Sequence, residues 1–247
     1  MATLPEIERF FTGYNQLQAS HAALRIREFH EGFESLRTVF DSLSAMSREL
    51  DRSTGRTFNI FRLLGVEWLE PRTHSKVLVG LLDPNGTHAQ GSVFLRRFLR
   101  IAARSSNHRR WAWPFPRCRS IALTSPGFVK AEHDIGTGRI DILLKRYEQS
   151  VVIAVENKIF AGEQEEQLSR YGKWLKDHET RPWTTALIFL TPDGRKSETA
   201  GDYPYSRMSY KNHIASWLEG CITEVEAIRV REILRQYLET VRKISLG

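Results

Sequence analysis

Three charged residues in the middle of the chain have the types and spacing of a site that acts on phosphate. Asp141 lies in one short β-rich segment, and Glu156 and Lys158 close the next one. Residues two apart on a strand project to the same side, so the carboxylate of Glu156 and the ammonium of Lys158 can face one site. Carboxylates from adjacent strands can hold a hard divalent cation that keeps waters for a phosphate to replace. The spacing therefore predicts a site for Mg²⁺ or Mn²⁺.

The neighbouring atoms suggest how such a site would work. The carbonyl of Asn157 could supply a third oxygen ligand. Lys158 would orient the attacking water and neutralise charge that develops on the phosphate. A plain ion pair across two strands is the alternative, and it is the commoner meaning of an isolated Asp followed by a Glu-x-Lys pattern. Binding of a divalent cation discriminates between these two interpretations.

The residues around these three form a longer and more specific pattern. Residues 156–171 read ENKIFAGEQEEQLSRY, and residues 138–143 read GRIDIL. With these runs the chain resembles the PD-(D/E)XK nuclease superfamily, in its prokaryotic branch with an ENKIxAGEQxxQLxxY run. The likeness includes His74-Ser75, LLDPNG at 81–86, His88 and FLRRFL at 94–99. The proline that often precedes the hairpin aspartate is Ile140 here, but proline would add no ligand.

This resemblance implies roles for individual residues. It implies that Asp141 and Glu156 bind the metal ion and that Lys158 is the catalytic lysine. Gln167 and Tyr171 match the Q-x-x-x-Y helix of RecB-like nucleases, whose side chains contact nucleic acid near the scissile phosphate. Residues four apart share one face of a helix, which agrees with this pairing.

The third metal ligand is left open by the sequence. Glu70 and His74 are the candidates, because four residues apart they could share a helix face. Glu70 precedes Pro71 and can instead cap the helix, while His74 can instead be a buried structural histidine. Glu132 could also reach the site, although an exposed strand charge explains it more simply. We expect no catalytic role for His88.

Basic residues are concentrated in one stretch of the chain. The whole chain has 36 Lys and Arg against 29 Asp and Glu, a formal charge of +7. Residues 71–119 contain ten basic residues and one acidic residue. Such a concentration of positive charge attracts nucleic acid. We expect phosphate contacts from the arginines and base stacking from Trp111 or Trp113; the alternative is that the tryptophans complete a core. The arginines are Arg96, Arg97, Arg100, Arg109, Arg110, Arg117 and Arg119.

The order of predicted elements indicates the fold class. Helix and strand signals follow one another as α, β, β, β, α, β, which predicts an α/β fold. The resemblance implies that this is a restriction-endonuclease-like core with a mixed four-stranded sheet. We expect this PD-(D/E)XK nuclease-like domain over residues 58–247, closed by C-terminal helices. Residues 1–57 are predicted to form a helical N-terminal extension. Within it, a helix over residues 26–50 carries a heptad seam, and residues 7–17 form a preceding helix.

These observations lead to one functional hypothesis and one rival. We expect a metal-dependent nuclease that prefers DNA over RNA, acting at ends or internally; the resemblance implies a defence or mobile-element setting. The rival is a catalytically silent nucleic-acid-binding or assembly subunit.

The seam over residues 26–50 could pair with a second copy, with a partner protein, or with its own domain. No apolar run approaches the roughly 20 residues of a membrane span, and the first residues carry no secretory signal, so we expect a cytoplasmic protein without a membrane partner.

Overall fold

The computed structural model describes residues 4–55, 57–67, 69–105, 127–148, 150–177 and 183–245. Contacts divide the chain into two units, Met1–Phe58 and Asn59–Gly247. The first unit is helical, and the second contains a sheet covered by helices on both faces.

The first unit consists of one long helix, α1 (Leu4–Thr54). The sequence predicted two helices, but residues 18–25 are mostly good helix formers without proline or glycine, so nothing interrupts the turns. The helix ends at Gly55, whose left-handed φ of 63° lets its N–H reach the carbonyl of Asp51. Within the described ranges, no helix is both long and apolar enough to cross a membrane.

A five-stranded mixed sheet forms the centre of the second unit. The strands are ordered β1-β2-β3-β4-β5; the first three are antiparallel, and β4 and β5 are parallel to β3. The predicted α/β class is confirmed, but the predicted number of four strands was wrong. The strand that was missed, β5, has only four residues, too few for a sequence period to be recognised. The strands are β1 (Gly127–Asp134), β2 (Arg139–Arg146), β3 (Val151–Asn157), β4 (Thr184–Thr191) and β5 (Ser206–Ser209).

Helices cover the two faces of the sheet unequally. The odd-numbered residues of β3, such as Val155, pack in a large core with α3, α4, α6 and α7, whereas the even-numbered residues, such as Ala154, pack against α5. The helices are α2 (Ile60–Leu63), α3 (Lys76–Leu82), α4 (Val93–Ser105), α5 (Gln167–Asp177), α6 (Ala215–Glu224) and α7 (Ile228–Ile244). A π-helical turn leads into α3 (Glu70–Ser75) and another into α6 (Tyr210–Ile214).

Helix α5 begins later than its sequence pattern predicts. The pattern starts at Glu163, but the carboxylate of Glu163 accepts hydrogen bonds from the side chains of Ser197 (2.5 Å) and Thr199 (2.7 Å) and from Arg195 (2.7 Å). Glu166 then adopts a left-handed φ of 50°, which is incompatible with a regular helix. The segment before Gln167 is therefore a loop held against the turn that follows β4.

Candidate active site

Asp141 and Glu156 meet where β2 and β3 pair. Ile142 is in register with Val155, so Asp141 directly precedes this pair on its strand and Glu156 directly follows it on the other. Strand alternation then places both carboxyl groups on the face covered by α5. One carboxylate oxygen of Asp141 accepts a hydrogen bond from the backbone N–H of Asn157 (2.7 Å), which fixes its orientation.

The carboxylate of Glu156 is fully buried and poorly satisfied. Neither of its oxygens accepts a hydrogen bond of normal geometry from the described residues, and Lys158 Nζ lies 2.9 Å from Oε1 as an ion pair. Burial raises the pKa of Glu156 to about 8 and the pKa of Asp141 to about 6. The negative charge of Asp141 raises the pKa of Glu156 further, while Lys158 acts in the opposite direction. One ammonium therefore compensates the buried carboxylate of Glu156 and the half-buried carboxylate of Asp141 incompletely.

This charge imbalance fits a divalent cation. Hard cations prefer carboxylate oxygens, and Mg²⁺ is commonly held by one or two carboxylates together with waters and a substrate phosphate. Asp141 and Glu156 supply such a pair. Among the residues that the structure describes, no group of three His, Cys, Asp or Glu side chains is arranged around one metal position. The arrangement therefore fits a cation held by two carboxylates rather than a closed cage of protein ligands.

Asn157 faces the other side of the sheet. Its side-chain amide donates to Ser75 Oγ (3.1 Å), and its side-chain oxygen accepts from the hydroxyl of Tyr210 (2.9 Å). These contacts join β3 to the two π-helical turns, so the side chain of Asn157 has a structural role. The backbone carbonyl of Asn157 stays a predicted metal ligand.

His74 is buried and both of its ring nitrogens have partners, which favours a structural role over the predicted one as a metal ligand. Its Nε2 donates to the carbonyl of Glu67 (2.8 Å), and its Nδ1 lies 3.1 Å from the hydroxyl of Tyr237. The ring also packs edge-on against Tyr210. Both nitrogens are engaged, so neither has a lone pair directed at the carboxylate pair. The side chain of Glu70, the other candidate, lies outside the part of the chain that is described.

We predict that His74→Phe destabilises the fold without weakening metal binding. The larger ring keeps the apolar contacts but removes the hydrogen bonds to the Tyr237 hydroxyl and the Glu67 carbonyl, and the buried carbonyl then lacks this partner, which costs about 1–3 kcal/mol. Urea unfolding measures this loss, and calorimetric titration of Mn²⁺ measures the affinity of the folded protein. A loss of tenfold or more in Mn²⁺ affinity would instead make His74 a ligand.

Gln167 and Tyr171 lie beneath the carboxylate pair. The hydroxyl of Tyr171 donates to the carbonyl of Arg139 (2.6 Å) and accepts from the amide of Gln167 (3.1 Å). The other end of Gln167 accepts from the N–H of Gln164 (3.1 Å). Burial and the nearby charge of Glu156 raise the pKa of Tyr171. Both side chains are buried and hold the start of β2, where Asp141 lies. Their contact with nucleic acid stays a prediction.

Glu132 is closer to the site than the sequence suggests. Its neighbours Ala131 and His133 pair with Ile142 and Ile140, so Glu132 lies opposite Asp141. It has a left-handed φ of 52°, which is unusual within a strand, and its charge raises the pKa of Asp141. Arg139 Nη1 lies 3.4 Å from its carboxylate. Only the pairing register of β1 brings Glu132 here, and the sequence alone does not specify that register.

The structure describes only part of the predicted basic surface. Arg96 and Arg97 both pair with Glu224 of α6, with Arg97 Nε 2.6 Å from its carboxylate, so these two arginines help to join α4 to α6. Arg100 is exposed. Their predicted contacts with nucleic acid stay a prediction. The remaining predicted residues, Arg109, Arg110, Trp111, Trp113, Arg117 and Arg119, lie outside the described residues.

Comparison with known families gives one match. The sequence model of the PD-(D/E)XK nuclease superfamily matches residues 58–239, a range that contains the carboxylate pair and Lys158. No curated protein and no solved structure matches the chain significantly.

Proposed function

Because the chain belongs to the PD-(D/E)XK nuclease superfamily, we propose that it is a divalent-metal-dependent nuclease that hydrolyses phosphodiester bonds, with DNA as its substrate. The observation that carries this proposal is the buried carboxylate of Glu156, which adjoins Asp141 and has Lys158 Nζ at 2.9 Å. A buried and a half-buried acid beside one amine are costly unless a further positive charge compensates them. Mg²⁺ or Mn²⁺ supplies that charge.

Each residue of the site has a defined part in the proposed reaction. Asp141 and Glu156 would hold the cation. When bound, the cation would neutralise charge on the scissile phosphate and lower the pKa of a water. The ammonium of Lys158 would orient the attacking water in line with the leaving oxygen and stabilise the negative charge of the transition state. Gln167 and Tyr171 would keep the strand that carries Asp141 in position.

The rival proposal, a silent binding or assembly subunit, accounts less well for these charges. In such a protein the three groups would form only a structural ion pair. Lys158 can neutralise one carboxylate, but the half-buried second carboxylate, that of Asp141, would have, among the described residues, only the N–H of Asn157 to compensate its charge. Such an arrangement lowers the free energy of unfolding. Active sites commonly carry this loss of stability because their charges serve the reaction.

A cleavage assay tests the proposed function. Purified protein is incubated with circular duplex DNA, linear duplex DNA, single-stranded DNA and RNA, each with Mg²⁺, Mn²⁺ or EDTA. We expect cleavage of DNA that EDTA abolishes, with nicking of circles if the enzyme acts internally and shortening of linear DNA alone if it acts at ends. Lys158→Ala, purified in parallel, controls for contaminating nucleases. Cleavage of RNA alone would correct the substrate, and equal activity of both proteins would contradict the proposal.

We further propose that α1 pairs with a second copy of the chain. Its seam carries seven large apolar side chains that are 45 to 76% exposed. Exposed apolar side chains at heptad spacing are the surface that a second helix covers in a coiled-coil dimer. The seam residues are Ile26, Phe29, Phe33, Leu36, Phe40, Leu43 and Leu50.

Light scattering on the full chain tests this pairing. We expect the mass of a dimer for the native protein and the mass of a monomer for the double variant Phe33→Glu, Phe40→Glu. The double variant Ser35→Glu, Ser42→Glu adds the same charges to α1 away from the seam and should remain dimeric. A monomeric native protein at micromolar concentration would overturn the pairing.

A further inference from the structure

A cleft opens beside Lys158. It has a volume of about 660 Å³ and is formed by residues 158–162 after β3, the turn after β4 and the end of α7. Its lining includes Phe160 and Lys243 as well as Lys158 itself. The cleft is therefore continuous with the proposed catalytic lysine.

Of the three cations that line the cleft, Lys243 is the one placed to contact an anionic ligand. Lys158, Arg195 and Lys243 line it together with Asp193, and Lys158 is paired with Glu156 at 2.9 Å. The charge of Arg195 is matched by Glu163, at 2.7 Å. The ammonium of Lys243 is 4.0 Å from the carboxylate of Glu67, beyond hydrogen-bond distance, and its side chain is 46% exposed. Lys243 can therefore contact a phosphate without breaking a short ion pair.

The aromatic residue of the cleft indicates whether paired or unpaired nucleic acid would bind. The ring of Phe160 is 48% exposed although it lies only two residues from Lys158. An exposed aromatic ring beside positive charge is the usual platform for stacking a nucleotide base. Bases inside a duplex already stack on one another, so only an unpaired base can use Phe160.

Lys158 and Phe160 are close enough in the chain to contact one bound nucleic acid strand. Two residues of extended chain span at most about 7 Å, so a phosphate at Lys158 and a base on Phe160 belong to the same nucleotide or to neighbours. We infer that the cleft binds an unpaired segment of a nucleic acid strand next to the scissile phosphate, with Phe160 stacked on a base and Lys243 on the backbone. This inference rests on the proposed nuclease function and adds a preference for single strands or frayed ends.

Binding measurements in EDTA, where hydrolysis does not occur, test the inference. The probes are fluorescein-labelled single-stranded DNA, single-stranded RNA and a blunt duplex hairpin of equal length. We expect the native protein to bind at least one single strand about tenfold more tightly than the hairpin. Phe160→Ala should weaken single-strand binding about 5- to 100-fold, and Phe160→Trp should restore it. Lys243→Gln should reduce, by about 0.7, the steepness with which the logarithm of the binding constant falls against the logarithm of the salt concentration.

Matched controls lie away from the cleft. Tyr147 is 49% exposed in the turn between β2 and β3, at the opposite ends of these strands from Asp141 and Glu156, so Tyr147→Ala should leave binding unchanged. Lys176→Gln, at the end of α5, controls for Lys243. Equal binding of strand and hairpin, or an unchanged affinity in Phe160→Ala, overturns the inference while metal-dependent cleavage still supports the nuclease. If the native protein neither cleaved nucleic acid nor bound Mn²⁺, both this inference and the proposed nuclease function would be overturned.

Discussion

Lys158→Ala is expected to slow phosphodiester hydrolysis by about 10²- to 10⁴-fold while leaving substrate affinity nearly unchanged. The ammonium lies 2.9 Å from Glu156 and is only 11% exposed, so it acts where water screens charge weakly. Its contribution grows as negative charge develops on the phosphate, and the loss should therefore fall on the rate constant. Single-turnover cleavage at saturating Mg²⁺ measures that rate, and fluorescence anisotropy measures binding.

Two comparisons make this prediction specific. Lys158→Arg keeps the charge but replaces a compact ammonium with a planar guanidinium, so an intermediate rate is expected. Lys243→Gln removes a lysine from the same cleft but not from the carboxylate pair, so it should affect binding more than the rate. A Lys158→Ala protein that retains activity within tenfold of the native enzyme would contradict the role of this residue.

A divalent cation is expected to stabilise the folded protein, and more so at pH 8 than at pH 5.5. The pKa values of Asp141 and Glu156 are raised in the fold, so between their ordinary values and the raised ones the native state binds more protons than the unfolded state. In EDTA this pair therefore stabilises the fold at low pH, and that contribution is lost as pH rises toward 8. Mn²⁺ binds the ionised pair, so its effect increases over the same interval.

Thermal melts with Mn²⁺ or EDTA measure this linkage. At a concentration 100 times the dissociation constant, the cation should add about 2.7 kcal/mol to the free energy of unfolding. Asp141→Asn and Glu156→Gln should abolish the response. In EDTA at pH 8 Glu156→Gln should melt no lower than the native protein, because the change removes a buried charge. If the three groups were only an ion pair, Mn²⁺ would have no effect and Glu156→Gln would melt lower.

The sequence alone predicted those features of the protein that depend on residues close together in the chain. Short β-rich runs located β2 and β3 and a helical apolar pattern located α4, because both signals depend on residues that are close together in the sequence. Strand geometry predicted that Glu156 and Lys158 face one side, and the run around them indicated the superfamily that the family match then showed. Local periodicity could not count the strands, since β5 is too short to carry a period.

Tertiary structure decided which of the polar residues are available for chemistry. A structural role is favoured for His74 because Tyr237, 163 residues away, lies at one ring nitrogen and the Glu67 carbonyl at the other. Glu132 lies opposite Asp141 through a register that no short segment encodes, and Lys243 reaches the cleft of Phe160 only when α7 packs on the core. Sequence spacing fixes the direction of a side chain along its own element, whereas its burial, hydrogen-bond partners and charge environment come from elements brought together by folding.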